Sequence, residues 1–265
     1  MSRNSPEPIE VIPNKWEHLA LWERVRKALS IISSEFDANI VISGVLASDI
    51  QSLGALTAAA IEENVVKELN EQRSYWDPES KYIDYYFVRQ AEIFPDVRLV
   101  NDDDEVMMGI ELKSWYLLSK EKEPALRFKT TRKACAPWDL FVVYPWVLDN
   151  VLSGKPILFR PFIRTCRYVA EYRNYWWEHV REAETDKSIR SPDVKGFYPK
   201  GREEIEDRPS FDNGGNFGRI ARTTLMDSYK SEVLNLRLSG IKINSWINFF
   251  KREGKKDKAL LDEEK

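Results

Sequence analysis

The sequence predicts an α/β fold, a central mixed sheet of four or five strands flanked by helices, with a largely helical C-terminal part. Three observations lead there. Apolar residues recur at three-and-four spacing over two long segments early in the chain. Short β-type runs then follow one another between residues 83 and 114. Leu140–Tyr144 is a continuous apolar run between prolines, as a strand covered on both faces requires.

Each element can be justified in order. Residues 1–14 are polar with three prolines and read as a flexible arm. A helix is expected over Lys15–Ser34, where Trp16, Leu19, Trp22, Val25, Leu29 and Ile32 share a face and Asn14 is the candidate cap. Residues 39–46 are apolar but ambiguous. A second helix is expected over Leu53–Asn70. Ala55, Ala58, Ala59, Val65, Val66 and Leu69 form its stripe, with Glu62 in the middle and Glu63 off to the side. Trp76-Asp-Pro breaks the pattern. Strands are expected at 83–88, 96–100 and 106–114, the last two joined by a turn through the acidic run 101–105.

After the buried run, a short helix is expected at 147–151, a strand at 156–162 and a helix at 165–182. That helix carries an aromatic face from Tyr168 to Trp177, which suits core or a dimer contact. Residues 185–215 are polar and long for a loop inside a domain. Helical patterning returns at 217–239 and 243–251, before a charged tail over 251–265. The reading is a core over 15–182. Residues 183–250 belong to the same domain or a small subdomain.

Composition narrows the function. Hydrophobic residues make up 43% of the 265, enough for a core and too many for wholesale disorder. Two cysteines without CxxC or Cys/His spacing argue against zinc, and two histidines leave few candidates for a His-based triad. The N-terminal residues lack the apolar run of a signal peptide, and no stretch is long enough for a membrane span. The expectation is a soluble cytoplasmic protein. The net charge of −3 weighs against a dedicated nucleic-acid binder, although the sign that matters is the local one in a groove.

One constellation carries chemistry. Asp96 follows Pro95 at a strand start. Glu111 and Lys113 stand two apart in Gly-Ile-Glu-Leu-Lys, so period two puts both on one strand face. A hairpin brings Asp96 beside them, and Glu62 arrives if its helix packs on the sheet. Carboxylates and the Leu112 carbonyl are hard oxygen donors that suit magnesium. A neighbouring lysine can orient or activate a water. Read singly, each is weaker. Asp96 can be a mere strand start, Glu111 and Lys113 a solvated face, and Glu63 the alternative to Glu62. Asp102, Asp103 and Asp104 read as a solvated turn.

Pro95-Asp96 followed after fourteen residues by Glu111-Leu112-Lys113 resembles the PD-(D/E)xK nuclease signature, and the likeness extends over residues 53 to 145. Type II restriction endonucleases are prominent in that superfamily, and the chain length fits a stand-alone enzyme of that kind. The resemblance implies magnesium-dependent hydrolysis of double-stranded DNA by a homodimer, with Asp96, Glu111 and Lys113 at the centre and Glu62 as a fourth member. A restriction role implies a companion DNA methyltransferase. The rival readings are a repair or mobile-element-defence nuclease of the same fold, and a catalytically silent DNA-binding or assembly module. Arg127, Lys129, Arg132, Lys133, Lys195 and Arg219 are the candidate DNA contacts, with a solvated surface as their alternative role. The basic loop also includes Lys187, Arg190, Lys200 and Arg202. Asn213–Arg219 offers backbone N–H groups that could hold a phosphate or simply form a turn. Cys135 and Cys166 read as small buried residues.

Overall fold

The computed structural model describes residues 5–37, 40–46, 53–90, 93–119, 124–199 and 204–263. Its centre is a curled mixed sheet of six strands, one more than the upper expectation. These are β1 (Tyr86–Arg89), β2 (Val97–Val100), β3 (Val106–Tyr116), β4 (Leu140–Leu148), β5 (Pro156–Leu158) and β6 (Phe162–Thr165). The first three form an antiparallel meander. β4 lies parallel to β3, and both β5 and β6 pair antiparallel with β4.

β4 explains the shape of the sheet. All nine of its residues are buried, as its apolar sequence demands. Pro145 sits in its middle without an N–H to donate. The strand accommodates it by changing partners there. β6 takes residues 140–143 and β5 takes 146–148, while the Pro145 carbonyl accepts from Phe159 N–H at 2.8 Å. The expected strand over 156–162 is therefore two strands. The expected helix over 147–151 is not present, because Val147 and Leu148 pair with Ile157 and Pro156.

The helices are α1 (Leu19–Glu35), α2 (Leu53–Glu71), a short α3 (Arg73–Trp76), α4 (Cys166–Tyr175), α5 (Asp227–Asn235) and α6 (Ile243–Glu263). α1 buries Leu21, Trp22, Val25, Ala28, Leu29 and Ile32 as one stripe. It is tied to the sheet by the Tyr144 hydroxyl, which donates to the Leu29 carbonyl at 2.6 Å. It starts after His18, so Asn14 does not cap it. α2 buries Thr57, Ile61, Val65 and Leu69, while Ala59 is exposed. Its apolar stripe is thus rotated from the expected one, and Glu62 lies at its border rather than its middle.

α4 ends sooner than expected and continues as a π-type turn, Trp176–Val180. The polar segment after it is not structureless. β7 (Ile189–Arg190) pairs with β8 (Arg208–Pro209). The expected helix over 217–239 resolves into two 3-10 turns, α5, and a hairpin of β9 (Arg237–Leu238) and β10 (Ile241–Lys242). Ser239 and Gly240 both take positive φ, which a two-residue hairpin turn requires. α6 runs to Glu263, well past the expected end at 251. Among the described residues no helix is long and apolar enough to cross a membrane.

Candidate active site

The site begins with a strand that outruns its neighbour. The pairing of β2 with β3 stops at Val97, the first residue of β2, opposite Ile110, while β3 continues to Tyr116 along β4. Beyond Ile110, one side of β3 has no strand beside it among the described residues. Asp96, just before β2, fills the first position, and its Oδ2 accepts from Leu112 N–H at 2.9 Å. The N–H and C=O of one residue leave a strand on the same side, so the Leu112 carbonyl faces this side too.

Glu111 and Lys113 share a face, as the period of two requires. Lys113 Nζ lies 2.9 Å from Asp96 Oδ2 and 2.6 Å from Glu111 Oε1. The hairpin turn behind them is built by Asn101, whose Oδ1 accepts from the N–H groups of Asp103 and Glu105. Asp102, Asp103 and Asp104 are exposed there, away from the site.

Two further residues hold this arrangement and were not singled out in the sequence. A Cβ on Gly109 would stand 2.4 Å from Pro95 Cγ. Only glycine lets the residue before Asp96 lie so close on β3. Asp139 is fully buried and accepts from Gly109 N–H at 2.8 Å, Ala136 N–H at 2.6 Å and the Tyr198 hydroxyl. Burial pushes its carboxyl up to about 6, against the pull of those donors. The available signal was an acid directly preceding a run that had to be buried.

The electrostatics follow from burial. Removal from water raises the Glu111 carboxyl, and Lys113 only partly offsets it. Burial would lower the Lys113 ammonium, but Glu111 and Asp96 outweigh it and the net shift is upward. Glu62 is raised by burial and then by Asp96. It is the inward member of its pair, 19% exposed at the side chain against 66% for Glu63. Its Oε2 is turned to Arg89 Nη2 at 3.5 Å. Among the described residues no three His, Cys, Asp or Glu side chains converge as a ready metal cage. The oxygens that face the site are those of Asp96, Glu111 and the Leu112 carbonyl, a hard donor set that fits magnesium.

Opposite stands a second wall. Asp96 and Glu111 open into a cleft of about 480 Å³ whose far side carries Arg127, Lys129 and Glu206. Within the segment 126–131, residues 126–130 alternate, with Leu126, Phe128 and Thr130 buried while Arg127 is exposed and Lys129 half-buried. It is stitched on one side to 205–207 and on the other to 218–220. Arg173, 1% exposed, pins it. Its guanidinium donates to the Phe128 carbonyl at 2.8 Å, to the Thr130 carbonyl at 3.2 Å and to Asp207.

The other basic candidates do not line this cleft. Arg132 pairs with Glu171, Lys133 with Asp193 at 3.4 Å, and Lys195 is exposed on the long segment. Arg219 joins the wall through its backbone bridge to Arg127. Lys187 donates to the Arg181 carbonyl, while Lys200 and Arg202 lie outside the described residues. The turn at 213–219 spends two amides on itself, since Asp212 accepts from Asn216 and Phe217 N–H. It is a turn that supports the wall, not an open phosphate cradle. Cys135 and Cys166 are free and buried.

Compared with known proteins, the chain matches no family model and no curated protein in sequence.

Proposed function

We propose that this chain is a magnesium-dependent endonuclease of the PD-(D/E)xK class that hydrolyses phosphodiester bonds of double-stranded DNA, with site-specific restriction as its role. The observation that carries the reading is the meeting of Asp96, Glu111 and Lys113 within hydrogen-bond distance, at the mouth of a cleft with cations on its far wall. A buried Glu111 and a half-buried Asp96 beside one lysine are costly for stability alone. They suit a site that must gather positive charge. The order of elements adds support, with a helix bearing Glu62, an antiparallel meander bearing the motif, and a buried strand parallel to its last member.

Asp96, Glu111 and the Leu112 carbonyl would hold the magnesium ion, and Glu62 would join through water from its place beside Arg89. When bound, the ion would supply Lewis acidity and a more acidic coordinated water. Lys113 would orient the attacking water and stabilise charge growing on the phosphate. Arg127 and Lys129 would fix the backbone from the opposite wall without reading bases.

The test is incubation of the protein with unmethylated plasmid and phage DNA, in magnesium and in EDTA, beside Lys113→Ala. Discrete magnesium-dependent fragments, lost in the variant, are expected. Magnesium-dependent smearing that the variant loses would keep the chemistry and remove site-specific restriction. DNA binding without cleavage under any divalent metal would replace the enzyme with a silent binding module.

A further inference from the structure

A second cleft lies at the opposite edge of the sheet, beside β6, between α1 and α5. Its volume is about 560 Å³. Arg26, Lys27, Arg160 and Arg164 all line it, against a single acid in its lining, Glu232. The cleft therefore has the opposite sign to the chain, whose net charge is −3.

The four cations are not equivalent. Arg164 is already committed, with Nε 3.5 Å from Glu10 and its guanidinium over the Phe162 ring. Arg160 is exposed at the rim, and its backbone is fixed because the Tyr229 hydroxyl donates to its carbonyl at 2.5 Å. Arg26 is half-buried, with its guanidinium stacked on Trp22 at 4.6 Å. Among the described residues, Arg26, Lys27 and Arg160 have no side-chain hydrogen bond or ion pair. Burial weakens the Arg26 cation; Glu10 and Glu23 oppose this and the like charge of Arg164 adds to it.

Stacking on Trp22 and the pull of Glu10 and Glu23 give the half-buried Arg26 guanidinium no acceptor for its N–H groups, so it has lost part of its hydration without a hydrogen bond in exchange. A neutral or cationic ligand would not repair that. A tetrahedral oxyanion would, because several oxygens can accept from forked donors and an ammonium at once. Ser228 adds a hydroxyl to the same wall.

We infer that this cleft is a phosphate-binding site, built by Arg26, Lys27 and Arg160 and separate from the carboxylate cluster. The inference is independent of the nuclease reading. The phosphate can be carried by a DNA backbone running past the β6 edge or by a small phosphate ligand, and both use the same contacts.

The experiment titrates the whole protein with inorganic phosphate by calorimetry. In parallel, it titrates a short DNA duplex in EDTA over a series of salt concentrations. The Arg26→Gln/Arg160→Gln double variant is compared with the unaltered chain, and the exposed Arg160→Gln alone guards against misfolding. Phosphate affinity should fall about tenfold or more in the double variant. If the source is DNA, the slope of log affinity on log salt should also flatten by roughly one to two. A weakened response to inorganic phosphate with an unchanged duplex slope identifies a small ligand. Unchanged behaviour toward both probes, or no binding of either, overturns the inference. Loss of DNA cleavage does not enter this test, so its failure stays distinct from failure of the proposed activity.

Discussion

The two walls of the candidate active-site cleft are held by opposite means. On the β2–β3 side, three ionisable groups crowd together with one positive charge between two acids, and burial works against the charges of Glu111 and Lys113. On the far side, segment 126–131 is tied through backbone ladders and the buried Arg173–Asp207 pair, where the cation meets one acid and two carbonyls. The first wall leaves the Glu111 charge only partly compensated; the second also bears a desolvation cost, since burial lowers the Arg173 guanidinium to about 10, but it spends its donors on order. That contrast is the expected division between a reacting surface and its support.

The largest test of the contrast is on the reacting wall. Lys113→Ala should lower magnesium-dependent cleavage by about 10²–10⁴-fold while duplex binding in EDTA persists. Rate and binding assays on the same preparation check this. A parallel loss of both would move Lys113 from chemistry to folding.

The support wall should fail differently. Arg173→Met leaves Asp207 buried without its cation and should cost about 3–5 kcal/mol in urea unfolding. Arg173→Met/Asp207→Leu should recover part of that loss, because the stranded charge is gone. No recovery would mean that the carbonyl contacts to Phe128 and Thr130, not the ion pair, hold the wall.

Asp139 gives a pH test. Its folded carboxyl is raised to about 6, above the ordinary value of about 3.9. The folded state then holds the proton more tightly than the unfolded one. This contribution is fully present below about pH 4 and is lost as pH rises through 6, a change of about 2–3 kcal/mol. Asp139→Asn should flatten the stability curve between pH 4 and 6. A slope identical to that of the unaltered chain would assign the effect to other acids, Glu111 first.

The smallest effect separates two adjacent acids. Glu62→Gln should reduce cleavage by about tenfold, one interaction of about 1.4 kcal/mol, and Glu63→Gln should not. Equal rates for the two variants would remove Glu62 from the site.

The local part of this protein was legible because short-range rules govern it. Period two placed Glu111 and Lys113 on one face, and an acidic run marked the turn that returns Asp96 to them. The unbroken apolar run predicted β4 in the right place. Helix faces were less secure. The apolar pattern of α2 admitted a rotated stripe, and packing on β3 chose Ile61, Val65 and Leu69.

By itself, then, the sequence determined the α/β class and the juxtaposition of Asp96, Glu111 and Lys113. Each depends on neighbours within a strand or across one hairpin. Tertiary structure alone decided the far wall, the choice of Arg127 and Lys129 over the other basic residues, and the buried support from Asp139, Gly109 and Arg173. These depend on segments from 30 to 90 residues apart meeting through backbone hydrogen bonds and desolvated charges, as Gly109 meets Asp139 and Phe128 meets Gly218. Such contacts leave no periodic trace in the chain, because what selects them is the removal of water once the sheet has closed.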